Sequence, residues 1–115
     1  MSYVDGFVLA VPTGKKEVFR EHAERAGHIF KKHGALQVVE AWGDDVPDGK
    51  VTDFRRAVAA EVGETVVFSW ITWPNKATRD EGMRKTMEEM QSDPSEMPFD
   101  GRRMIFGGFV PVVDL

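Results

Sequence analysis

The most regular pattern of side chains lies between Gly63 and Pro74. Glu64-Thr-Val-Val-Phe-Ser-Trp-Ile-Thr-Trp73 is dense in β-branched and aromatic residues, the composition of a strand. At a period of two, Val67, Ser69, Ile71 and Trp73 share one face, and Val66, Phe68, Trp70 and Thr72 share the other. Neither face is polar enough for water, so the pattern predicts a sheet covered on both sides. Tyr3 to Val11 predicts a strand that is apolar on both faces apart from Asp5, with Pro12 ending it. Ala35 to Trp42 predicts another, with Leu36, Val38, Glu40 and Trp42 on one face. Arg102 to Val113 predicts the last, and its Gly107-Gly108 pair predicts a bulge or a close approach by another chain. Phe54 to Val62 alternates more weakly. Its arginines suit an exposed edge strand, with a helix over Phe54 to Glu61 as the alternative reading.

Two segments follow the helical period instead. From Thr13, read as an N-cap, to about His33, the residues Val18, Phe19, His22, Ala23, Ala26, Ile29, Phe30 and His33 fall on one face. Charged residues crowd the opposite face, which predicts an amphipathic helix lying on the sheet. Gly34 suits its end. Asn75 is read as the cap of a second helix running to about Gln91, with Met83, Met87 and Met90 on one face. Turn-forming residues fill 43–50, and an irregular loop with two prolines spans 92–101. The order βα, hairpin pair, αβ is the ferredoxin-like βαββαβ pattern with an antiparallel sheet. Both helices then cover one face. Leaving the other wet would forgo roughly 1.5–3 kcal/mol per large side chain, so the pattern predicts a homodimer through that sheet face.

Composition sharpens this picture. The chain has 115 residues, 42% hydrophobic and 30% charged, which fits one globular domain over 1–115. A net charge of −4 without a basic stripe argues against a nucleic-acid partner. The absence of cysteine excludes disulfides, thiolate zinc sites and thiol nucleophiles. The start has no signal-like pattern, and no apolar run approaches the roughly 20 residues that span a bilayer. The expectation is a cytoplasmic protein without a membrane partner.

Candidate chemistry is sparse. Asp5 and Glu40 are carboxylates within apolar strands. Each is a potential general base with a raised pKa, or the partner of Arg55, Arg56, Arg102 or Arg103, and pairing is the preferred reading. His22 and His33 share a helix face but lie roughly 16 Å apart along the axis, too far to share a metal. They are read as core-rim residues with hydrogen-bonded rings, and His28 as a surface residue. Asp44, Asp45 and Asp48 fit turns better than a calcium loop. Trp42, Trp70, Trp73 and Phe106 could line a pocket for a flat ligand or simply pack. The methionines read as core filling. No nucleophile elbow, phosphate loop or metal-ligand cluster occurs. No metal and no cofactor are expected, and no catalytic residue is assigned.

Five blocks in order carry a resemblance: Tyr3-Val-Asp-Gly-Phe-Val8, His33-Gly-Ala-Leu36, Trp42-Gly-Asp-Asp-Val-Pro-Asp-Gly-Lys50, Val66-Val-Phe-Ser-Trp-Ile71, and Met97 to Phe109. Together they resemble the YbaA-like bacterial domain family of unknown function. The resemblance implies a ferredoxin-like subunit in a dimeric α+β barrel. That superfamily also contains cofactor-free quinol monooxygenases, haem-degrading enzymes and stress-response proteins. Haem-degrading relatives use a histidine on the second helix, and Lys76 to Gln91 has none. The expected function is therefore a homodimeric barrel binding a small aromatic ligand, with cofactor-independent oxygenase-like chemistry as its enzymatic form. The expected lining is Asp5, Glu40, Trp42, Ser69 and Trp73, between helices and sheet. The alternatives are a non-enzymatic structural or stress-related dimer with a solid interior, and an RNA-binding sheet, which the acidic balance opposes.

Overall fold

The computed structural model describes residues 2–93 and 97–115. The centre of the predicted 92–101 loop, residues 94–96, lies outside them. Seven elements follow in order: β1 (Tyr3–Pro12), α1 (Lys16–Lys32), β2 (Gln37–Trp42), α2 (Phe54–Ala57), β3 (Glu64–Trp73), α3 (Lys76–Met90) and β4 (Ile105–Phe109). The strands form one antiparallel sheet in the order β2-β3-β1-β4. This is the ferredoxin-like arrangement expected from the order of elements.

The centre of the sheet is the ten-residue register of β1 on β3, from Tyr3 opposite Trp73 to Pro12 opposite Glu64. Strand alternation then assigns the faces. Tyr3, Asp5, Phe7, Leu9 and Val11 join Val67, Ser69, Ile71 and Trp73 under α1 and α3. Val4, Val8 and Ala10 join Val66, Phe68 and Trp70 on the opposite face. The helix-covered side holds two core clusters, one around Phe30, Ile71 and Trp73, the other around Leu9, Val11, Phe19 and Val67.

Local chemistry explains the helix ends. Gly34 takes φ +111°, which favours glycine. The Ala35 N–H then reaches back to the Phe30 carbonyl at 3.0 Å and closes α1. Asn75 Oδ1 accepts from the Thr78 N–H at 2.8 Å and caps α3. Thr13 does not cap α1. It sits in a 3-10 turn, and its hydroxyl pairs with that of Thr65 at 2.7 Å. Val18 also departs from expectation, being about half exposed rather than on the buried face of α1.

α3 buries a different stripe from the expected methionines. Gly82 and Thr86 are its buried residues, while Met87 is exposed and Met83 packs at the core margin. The cause is Trp73. Its fully buried indole lies so close to the helix backbone that a Cβ at Gly82 would overlap Trp73 Cζ3 and fall 2.8 Å from Cη2 and 2.5 Å from the His33 carbonyl oxygen. Gly108 plays a similar part at the sheet edge, where a Cβ would fall 2.8 Å from the Tyr3 ring. The pairing of β4 with β1 runs unbroken from Val4–Phe109 to Val8–Ile105, so the glycine pair does not mark a bulge. β4 is also shorter than expected, because Arg102 and Arg103 are held in a turn by Asp100.

The main correction concerns Phe54 to Val62. It is not an edge strand. Asp53 Oδ1 accepts from the Arg56 N–H at 2.7 Å and starts the short helix α2. The chain that follows places Val58, 1% exposed, against Val8, Ala10 and Val66. The protein thus covers one end of its second sheet face itself. Arg55 donates to the Glu61 and Glu64 carbonyls at 2.9 and 2.8 Å. Arg103 makes two 2.8 Å bonds to the Glu64 carboxylate and a third, at 2.9 Å, to the Ala59 carbonyl. Phe54 of α2 also meets Phe68 edge-on at 6.1 Å, yet Phe68 stays 45% exposed and Phe109 60% exposed.

Two tests follow from this packing. Helix propensity alone favours alanine over glycine by roughly 1 kcal/mol, yet Gly82→Ala should destabilise by about 1–3 kcal/mol, because the buried indole cannot retreat. Urea unfolding at neutral pH decides the sign. Hydrogen bonds from Arg103 hold the Glu64 carboxyl at about 2, below its ordinary 4.5. A depressed folded pKa gives stability that is present above the unfolded value and lost as pH falls through the folded one. The difference in urea midpoint between the native protein and Glu64→Gln should therefore be largest near neutral pH and shrink as pH falls from about 4.5 towards about 2.

Candidate functional site

The sheet's helix-covered face divides into a sealed half and an open half. Under α3, Asp5 is buried and receives three hydrogen bonds from Arg79: Nη2 to Oδ1 at 2.7 Å, and Nε to Oδ1 and Oδ2 at 3.2 and 3.0 Å. Trp73 Nε1 donates to Asp5 Oδ2 at 2.9 Å. Arg79 also lies 5.1 Å from the centre of the Tyr3 ring, and the bond to Asp5 is the chief cause holding its pKa above the ordinary value. The pairing expected for Asp5 is present, but with Arg79 rather than any of the four arginines considered. Asp5 and Trp73 belong to a satisfied buried ion pair. Removing one partner of such a pair leaves an uncompensated charge.

Between α1 and β2 the packing opens instead. α1 lies against β2 at Gly27, where a Cβ would fall 3.6 Å from Val38. Beside that contact runs a groove of about 480 Å³. Its floor includes Val38, Glu40 and Trp42 of β2, and its far wall is the α1 face bearing Lys16, Phe19 and Arg20 at one end and Lys31 at the other. Phe19 and Trp42 pack at 6.2 Å with a 45° tilt, and Lys16 Nζ stands 5.6 Å from the Trp42 ring centre.

Glu40 is the chemically distinctive member. As a residue it keeps solvent access, yet the protein around its carboxyl desolvates it enough to push its pKa up. A 2.8 Å hydrogen bond from the buried Ser69 hydroxyl to Oε2 opposes that shift and prevails only in part. Among the described residues nothing donates to Oε1. No arginine reaches Glu40: Arg55 and Arg56 serve the α2 segment, and Arg102 and Arg103 serve Asp100 and Glu64. A carboxylate with one oxygen fixed and the other facing an aromatic-walled groove can accept a proton or a hydrogen bond from a guest.

The sequence candidates therefore separate. Glu40 and Trp42 line the groove and the buried Ser69 holds Glu40 from behind, whereas Asp5 and Trp73 take no part in it. The four aromatics considered as a pocket lining also disperse. Trp70 faces the opposite side of the sheet, tilted against Phe68 at 5.7 Å, and Phe106 stacks on Phe7 at the β4 edge. Sequence reasoning did not include Lys16, Arg20 and Lys31, since charged residues on a helix read as solvated surface. His33 bonds Glu89 Oε1 at 2.5 Å at the core rim, as expected. His22 meets Phe99 edge-on at 6.1 Å, its pKa lowered mainly by burial, and its Nδ1 has no hydrogen-bond partner among the described residues. Among the described residues no three His, Asp or Glu side chains form a set able to hold a metal, and no helix is long and apolar enough to cross a membrane.

Comparison with known proteins bears on the fold and the family. The chain is 56% identical over 116 residues to the uncharacterized protein YbaA of Escherichia coli K12, covering 99% of each, and the same figures hold for YbaA of Shigella flexneri. Among solved structures, it superposes on a dimeric ferredoxin-like protein from an uncultured marine organism with a TM-score of 0.64, at 10% identity and over 100% of both chains. Rv0793 from Mycobacterium tuberculosis gives a TM-score of 0.55 at 10% identity, over 99% of this chain and 98% of that one. At such identities these two likenesses show the fold alone. A family model described as a protein of unknown function, DUF1428, matches residues 2–101, and the chain belongs to that family.

Proposed function

We propose that this protein is a homodimer that binds a small aromatic molecule bearing a hydroxyl group in the groove between α1 and β2. The observation that carries the reading is Glu40: a partly desolvated carboxyl beside Trp42, oriented by Ser69 and free of any cation partner. Trp42, backed by the buried Phe19, offers a ring for the guest, and stacking there leaves its hydroxyl towards Glu40. Since burial raises the Glu40 pKa, the carboxylate is a stronger proton acceptor than one in water, suited to drawing the proton from a phenol or quinol. That proton transfer is the step this chain's residues supply in an oxygenase-like reaction. A dimer is supported by the uncovered aromatic end of the sheet and by the dimeric ferredoxin-like neighbour. The groove itself weighs against the alternative of a structural dimer with a solid interior.

Titration with simple phenols and quinols, followed by tryptophan fluorescence and melting temperature, tests the proposal. Binding should quench Trp42, and Glu40→Gln should weaken it about tenfold or more, the loss expected for a charge-assisted hydrogen bond. The same variant should melt at the same or a higher temperature at neutral pH. A folded pKa raised above the ordinary 4.5 means that ionising Glu40 costs folded stability as pH rises through it, and glutamine removes that cost. Flat titrations across the panel would count against the site, and a lone monomer at micromolar concentration against the dimer.

A further inference from the structure

Beyond β4 the chain continues as Val110-Pro-Val-Val-Asp-Leu115. Val112 is 96% exposed, Val113 and Leu115 are also open to solvent, and nothing in the protomer covers them. An apolar run of this kind is a contact surface awaiting a partner. We propose that segment 110–115 of one protomer docks on a second copy, over Leu36 and the Lys31 end of the groove, so that the partner closes that end of the ligand site.

Three observations choose this occupant. The first is geometric and rests on the homodimer proposed above. A two-fold axis running along the strands lays the β4 edge of one copy over the β2 edge of the other. In the sheet register, Phe109 lies level with Val4, Val4 with Thr72, and Thr72 with Gln37. The partner's β4 therefore ends level with the start of β2, and its segment 110–115 continues past Leu36. The second is Leu36 itself, 56% exposed immediately before β2, an apolar landing point on an otherwise ordered turn. The third is charge. Lys31 lines that end of the groove and has no ion-pair partner among the described residues, whereas its neighbour Lys32 is bound to Glu89. Asp114 brings a negative charge in the arriving segment. His28, one turn earlier on α1, faces Glu24 at 3.9 Å.

The native chain has no cysteine, so disulfide trapping has no background. One chain carrying only Leu36→Cys is mixed with a chain of different tag length carrying only Val112→Cys, and the pair is oxidised mildly. A control replaces the first with Val62→Cys, more exposed still but beside the start of β3, at the other end of the sheet. A disulfide needs Cα atoms about 4.4–6.8 Å apart, and a docked segment sees its neighbour at millimolar effective concentration. The mixed product from Leu36→Cys should therefore exceed the control by roughly tenfold or more. Equal yields from a protein that still elutes as a dimer would overturn the docking and leave the dimer standing. Elution as a monomer would remove both. An internal disulfide in the Leu36→Cys, Val112→Cys double variant, without the mixed product, would assign the segment to its own chain and also overturn the proposal.

Discussion

A sheet that is apolar on both faces has to be covered on both. β3 sets this condition, because its alternate residues Val67, Ile71 and Trp73 point one way and Val66, Phe68 and Trp70 the other. Two long helices cover the first face. On the second, the chain supplies a partial cover in the form of α2 and Val58, tied down by Arg55 and Arg103. The cover reaches Val66 and Val8 and touches Phe68 through Phe54, but leaves Phe68 45% and Phe109 60% exposed. The uncovered part is the physical basis for the proposed twin subunit, and it is smaller than a bare sheet face.

The helix-covered side shows how one fold can hold a rigid half and a receptive half. Where α3 meets β1 and β3, the buried carboxylate is fully partnered: Asp5 is satisfied by Arg79 and by the Trp73 indole. Where α1 passes β2, the edge of the sheet leaves space, and Glu40 has only Ser69. Two carboxylates that look alike in sequence thus have opposite circumstances. Position across the sheet, next to a central strand or at the edge, separates them.

The sheet was largely legible in the sequence because strand alternation, Gly34, Gly63 and Asn75 each act locally. Half of the site was legible for the same reason: Glu40 and Trp42 share a strand face, and Ser69 lies opposite Glu40 in the register. The misreadings came from interactions between distant residues. Phe54 to Val62 alternates weakly enough to pass for a strand, and only its Asp53 cap and the remote Arg103 contacts settle it as helix and cover. The partner of Asp5 stands 74 residues away on α3, where Arg79 looks like any surface arginine of a polar helix. Lys16 and Lys31 were invisible as site residues because a groove is a property of two elements, whereas periodicity describes one.

The meeting of Gly82 with Trp73 also carries a consequence for heredity. Gly82 lets α3 settle onto the indole, and Arg79, three residues earlier on the same helix face, is thereby aimed at Asp5, which the indole also binds. Four positions on three elements depend on one another. A single substitution at any of them damages the other three, so descendants of this chain should keep Asp5, Trp73, Arg79 and Gly82 as a bloc or exchange them together. Glu40, with its single tether to Ser69, can drift alone. Relatives can in this way vary the groove while inheriting the opposite half of the molecule unchanged.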